Sequence, residues 1–213
     1  MTRREFWIES GKLRLEGALH EGGEAFSAVV LHPHPQHGGD MDNHVVLSIA
    51  ETLAAVGGTV LRFNFRGAGK SDGEYDDGRG EADDARAAVA PVRALLPAAP
   101  FVLMGYSFGA MIAAAVAPTA VPAALILVSP PLAYATFAAL PEQIPTLAVT
   151  GGRDSVSRAA AIRSLSGAHL RTLVLPGADH GWWPGAEDLA HEVGGFVESV
   201  VHGHSDPYGS LPI

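Results

Sequence analysis

Short apolar runs of strand length alternate with amphipathic stretches of helix length along almost the whole chain. The runs at 27–31, 59–65, 101–104, 124–128, 145–150 and 170–175 are nearly unbroken in apolar residues, the pattern of strands buried on both faces. Between them, 43–56 carries Val46, Leu47, Ala50, Leu53 and Ala54 on one helical face, with Asp42 or Asn43 as cap and Gly57-Gly58 as stop. A helix over 80–96 opens with Glu81, Asp83 and Asp84, whose charges suit its N-terminus, and Pro91 is expected to kink it. Further helices are expected from Ala110, over 157–166 and over 187–201. Ahead of all this, 5–10 and 12–20 read as an antiparallel hairpin turned at Gly11. The alternation predicts an α/β fold: a mostly parallel sheet, an N-terminal antiparallel hairpin, and helices on both faces. No repeat or linker interrupts it, so a single domain is expected over residues 1–213, with 205–213 as a tail.

One segment carries chemistry. Gly105-Tyr106-Ser107-Phe108-Gly109 stands between the apolar run Phe101-Val102-Leu103-Met104 and the alanine-rich stretch from Ala110. A serine on so sharp a strand-to-helix turn takes a strained backbone, and neighbours two residues away on either side must lack a Cβ. Such a hydroxyl needs a base and an orienting carboxylate. The strand 145–150 ends in Gly151-Gly152-Arg153-Asp154, and 170–175 ends in Pro176-Gly177-Ala178-Asp179-His180. Ser107, Asp154 and His180 are therefore expected at one edge of the sheet, where open α/β sheets place ligands. Asp179 is the rival acid, but its adjacency to His180 turns it away along the loop.

The order serine, acid, histidine is that of an α/β-hydrolase. The chain resembles this superfamily more closely still. Leu31-His32-Pro33-His34-Pro35-Gln36-His37-Gly38-Gly39-Asp40-Met41-Asp42-Asn43 and Leu61-Arg62-Phe63-Asn64-Phe65-Arg66-Gly67-Ala68-Gly69-Lys70-Ser71-Asp72-Gly73 resemble a group of small, lidless bacterial hydrolases, distantly similar to dienelactone hydrolase. The likeness runs over 17–200 and implies the α/β-hydrolase fold without a cap. Only residues 129–144 separate two successive strands at the usual point of cap insertion. For the oxyanion, the backbone N–H of Phe108 is one expected donor. Pro33 and Pro35 have no N–H, so His34 is the other, in line with the family's H-G-x-P pattern with Pro33 in place of the glycine.

Other readings are weaker. Gly67-Ala68-Gly69-Lys70-Ser71 ends like a phosphate-binding loop, but Asn64 stands where the first glycine belongs and an acidic turn follows. The turn fits the family's R-G-x-G-x-S loop, with Arg66 paired structurally to a carboxylate. His32, His34 and His37 invite a metal, yet intervening prolines splay them and no fourth ligand is at hand, so neither metal nor cofactor is expected. Pro130, Tyr134, Trp182 and Trp183 are candidates for substrate contact around an open cleft.

Composition narrows the function. A net charge of −9 argues against nucleic acid, and the absence of cysteine removes thiol catalysis and thiolate metal sites. With no apolar leader and no membrane-length run, a soluble cytoplasmic protein without membrane partners is expected. The reading is a serine hydrolase of small or accessible carboxylic (thio)esters, its partner a small-molecule ester. A peptidase or amidase with the same three residues, and a non-catalytic binding protein on the same fold, are the alternatives.

Overall fold

The computed structural model describes residues 2–133, 140–165 and 167–203. Strands β1 (Thr2–Ser10) and β2 (Leu13–Glu21) form the antiparallel hairpin. They are followed by β3 (Phe26–Leu31), β4 (Gly58–Phe63), β5 (Phe101–Tyr106), β6 (Ala124–Val128), β7 (Thr146–Gly151) and β8 (Leu170–Leu175). All eight form one sheet in the order β1-β2-β4-β3-β5-β6-β7-β8. β2 joins β4 antiparallel, and every pair from β4 to β8 is parallel.

The period of two along each buried strand sorts its side chains between two cores. Val29 and Leu31 of β3, Leu103 of β5 and Leu125 and Leu127 of β6 pack with helices α2 (Arg79–Leu95), α3 (Phe108–Ala120) and Ile162 of α4 (Ala159–Arg163). Their neighbours Val30, Met104 and Ile126 face the other way, onto α1 (His44–Ala55) and α5 (Ala186–Val201). Both faces of the central strands are therefore covered, which is why those stretches read as unbroken apolar runs.

Strand order also sets the place of the site. From β3 the chain crosses by α1 to β4 on one side, then returns by α2 to β5 on the other. Succession reverses between β3 and β5, so the loops leaving those two strands diverge and open a crevice at their C-terminal ends. Leu31, the last residue of β3, pairs with Gly105 of the elbow strand.

Several boundaries differ from those expected. β1 begins at Thr2 because Arg3 and Arg4 continue the ladder opposite His20 and Leu19, and Arg4 pairs with Glu21 at 3.0 Å. β4 stops at Phe63, as the Asn64 amide goes to Glu16 O and its side chain accepts from Met41 N. A single 3-10 turn at Pro35–His37 lies in the loop after β3. α2 runs through Pro91 as one helical span.

Candidate active site

The turn from β5 into α3 is built by close approach. A Cβ on Gly105 would lie 2.0 Å from the carbonyl oxygen of Gly109, and one on Gly109 would lie 2.3 Å from that of Leu31. Ser107 between them has φ 53 and ψ −114, a conformation an L-residue adopts only at a cost of about 1–3 kcal/mol. Its amide donates to Val128 O at 2.8 Å, and its carbonyl accepts from Ala110 N at 2.9 Å, so the helix starts at once. The first amides of α3 then have no acceptor within the helix, Phe108 N–H among them.

Ser107, His180 and Asp154 lie in one hydrogen-bonded chain. Ser107 Oγ is 3.0 Å from His180 Nε2, and His180 Nδ1 is 2.9 Å from Asp154 Oδ2 and 3.1 Å from Oδ1. With Nδ1–H donated to the carboxylate, Nε2 is left as acceptor for the serine hydroxyl. The Asp154 side chain is fully buried. Its Oδ1 also accepts from the amides of Val156 at 2.8 Å and Ser157 at 2.7 Å, so the same carboxylate caps the turn before α4. Burial would raise the Asp154 carboxyl. Hydrogen bonds from His180, Ser157 N–H and the Ser129 hydroxyl outweigh it and hold the group below its ordinary range. Asp179, the rival, makes no hydrogen bond or ion pair with the imidazole; its Oδ1 is buried without a partner. Tyr106 donates its hydroxyl to the carbonyl of His180 at 2.6 Å, fixing the loop that carries the imidazole.

The three histidines of the β3 loop have separate fates. His32 is fully buried, Nε2 accepting from Phe65 N–H at 3.0 Å and Nδ1–H donating to Pro33 O at 2.6 Å. Burial pushes it down to about 4, so it is neutral at pH 7. No peptide bond is cis among the described residues, so the N–H of His34 points opposite to the Pro33 carbonyl that His32 holds. The His34 ring lies 4.6 Å from His37 and 4.9 Å from Phe108. Among the described residues no group of three or more His, Asp or Glu side chains is placed to hold a metal ion.

Ser107, His180, His34 and Phe108 line a cleft of about 700 Å3 with Tyr75 and Met111. The expected substrate contacts mostly lie elsewhere. Trp182 is fully buried among residues of the α1 and α5 layer; its backbone is left-handed at φ 59, which turns the indole under the sheet. Its Nε1–H donates to Ser129 Oγ at 3.0 Å, and Ser129 in turn helps to hold the Asp154 carboxyl low. Trp183 is 76% exposed and stacks on His44 at 4.0 Å, outside the cleft wall. Pro130 is buried, and Pro131 takes the lining position. Tyr134 falls outside the described residues. The contributions of Ser129, Tyr75 and Met111 gave no signal in the sequence, since none belongs to a motif.

The glycine-rich turn after β4 is structural. Arg66 grips the fully buried Asp84 with two hydrogen bonds, of 2.9 and 2.7 Å. Lys70 pairs with Glu16 at 3.1 Å, and Ser71 Oγ donates to Asn64 O at 2.7 Å. The groups that would hold a phosphate are thus already engaged.

The family model of the alpha/beta hydrolase fold matches residues 34–147, just over half of the chain. The uncharacterized protein RP471 of Rickettsia prowazekii (strain Madrid E) is 33% identical over 196 residues, covering 84% of this chain and 82% of its own. Among solved structures, the lidless α/β serine hydrolase XC6422 of Xanthomonas campestris superposes with a TM-score of 0.85 at 29% identity, covering 100% of this chain and 98% of its own. An alpha-beta serine hydrolase homologue from Coxiella burnetii gives 0.83 at 34% identity, covering 96% and 99%. The parallel sheet with its N-terminal hairpin, the elbow at Ser107 and these matches lead to one conclusion: the chain belongs to the alpha/beta hydrolase family, with the fold of its lidless serine hydrolases.

Proposed function

We propose that the protein cleaves carboxylic esters or thioesters of small, accessible substrates through a covalent acyl-enzyme. The observation that carries this reading is the chain Ser107 Oγ, His180 Nε2, His180 Nδ1, Asp154, with links of 3.0 and 2.9 Å at the wall of an open cleft.

Ser107 Oγ attacks the ester carbonyl carbon while its proton passes to His180 Nε2. The carbonyl π pair moves onto oxygen, and the backbone N–H groups of Phe108 and His34 receive the oxyanion. Each such donor is worth about 3–4 kcal/mol in comparable sites. Collapse of the tetrahedral intermediate breaks the bond to the alcohol or thiol, which leaves with the proton from His180. Water then enters, gives its proton to the same nitrogen and attacks the acyl-serine; the acid departs as Ser107 is reprotonated. Asp154 holds the imidazole in the required tautomer throughout. His32 supports the reading indirectly, because the Pro33 carbonyl it binds fixes the plane of the peptide that carries the His34 donor.

A panel of aryl esters of graded acyl length, run beside Ser107→Ala, tests the proposal. Turnover of the short esters that falls by about four orders of magnitude in Ser107→Ala is expected. Equal turnover by the two proteins would overturn it.

A further inference from the structure

The described residues lining the cleft include no lysine or arginine and one exposed carboxylate, Asp77. Burial, and then its neighbour His37, lower His34, which favours the neutral form of that ring.

Asp77 is held firmly. Its backbone is left-handed at φ 51, and the amides on either side, Asp76 N–H and Gly78 N–H, both donate to the fully buried Glu81, at 2.9 and 2.8 Å. The cations nearby are otherwise occupied. Arg79 pairs with Asp76 at 3.0 Å and lies outside the cleft wall, although it also feels the charge of Asp77; Arg66 is committed to Asp84. The same cleft wall carries the rings of Tyr75, His34 and Phe108, packed at 5.0 Å and 4.9 Å about His34. Asp77 and Tyr75 line the same cleft, and the Tyr75 hydroxyl is raised by burial and then by the Asp77 charge. A carboxylate beside aromatic faces attracts a cation and repels an anion.

We propose that Asp77 sets the charge preference of this cleft, so that it takes neutral or cationic esters and rejects esters that carry a carboxylate near the scissile bond. This rests on the esterase reading above and names its substrate class. The overall charge of −9 acts in the same direction from a distance, so a test must separate the local charge from the global one.

Three esters with one leaving group and acyl chains of matched length are compared, ending in a methyl, a carboxylate or a trimethylammonium group. The readout is the ratio of kcat/KM for the cationic ester to that for the anionic one, so any general loss of folded enzyme cancels. The ratio is expected to exceed one in the wild type and to fall by about three- to tenfold in Asp77→Asn, a change that also tolerates the left-handed backbone. Asp77→Gly provides a second backbone-compatible variant and should give the same fall. A ratio unchanged in both variants overturns the proposal, even if added salt compresses it in the wild type, because the preference would then belong to the whole surface. Absence of any Ser107-dependent turnover of the neutral ester is a different result, and removes the esterase reading with the proposal.

Discussion

The amide of Phe65 donates to Nε2 of His32 at 3.0 Å, tying the loop after β4 to the loop after β3 through one buried imidazole. The other ring nitrogen holds Pro33 O at 2.6 Å. Replacing His32 by alanine leaves a buried N–H and a carbonyl unpaired and opens a cavity. The loss should be about 2–4 kcal/mol, read from urea unfolding. On the proposed esterase reading kcat should fall more than KM rises, since the oxyanion donor proposed at His34 loses its orientation while the cleft remains. A KM effect alone would contradict the role given to His32.

The same residue makes stability depend on pH. His32 and His20 are both lowered, each to about 4, first by burial, with the Arg62 charge adding to the effect at His20. Their unfolded value is near 6.5, so between about pH 6.5 and 4 the unfolded chain binds more protons than the native one. Stability contributed by these neutral rings is fully present above that window and is lost as pH falls through it. The melting temperature should therefore drop from pH 7 to 4.5, and the drop should be shallower in His20→Gln, which keeps a polar partner for Arg62. Equal slopes in the two proteins would remove His20 from the account.

Strain at the elbow gives a stability and activity trade. Ser107→Gly relieves φ 53 and should raise stability by about 1 kcal/mol while abolishing turnover. Gly109→Ala should do the opposite to the fold, because its Cβ would meet Leu31 O at 2.3 Å; a loss of about 3 kcal/mol or more in urea unfolding is expected. A fully stable Gly109→Ala would mean that the elbow is looser than described.

Behind the carboxylate, Trp182 Nε1–H donates to Ser129 Oγ at 3.0 Å, and Ser129 helps to hold the Asp154 carboxyl below its ordinary range. Ser129→Ala removes one of the hydrogen bonds that keep Asp154 ionised, so the folded carboxyl is less depressed and acid inactivation begins at a higher pH. The stability that ionised Asp154 contributes is present at neutral pH and lost as pH falls through its folded value. A kcat profile with an unshifted acid edge in Ser129→Ala would leave Ser129 as packing only.

Much of the candidate site was readable because its residues answer to backbone constraints. Gly105 and Gly109 announce the elbow, and Asp154 and His180 each follow a buried strand in the order expected of the family. What could not be read was direction. Trp182 is next but one to His180, yet a left-handed backbone at φ 59 sends its indole beneath the sheet, and no residue type marks that reversal. Ser129 stands at the end of β6 with φ 44 and looks like any loop serine until the indole and the carboxylate are seen on either side. The histidine cluster was ambiguous for a similar reason. Which ring goes inward depends on the Phe65 amide, a partner contributed by a different loop.

Reaction of the native protein with one equivalent of a fluorophosphonate, followed by mass measurement of intact chain and peptides, tests most directly whether His180 and Asp154 activate Ser107. A single adduct on the peptide containing Ser107, not formed when the protein is unfolded in urea before the reagent is added and at least about a hundredfold slower to form in His180→Gln, is expected. An adduct that forms as fast in His180→Gln as in the wild type, or no adduct in folded protein, would contradict the hydrolytic account.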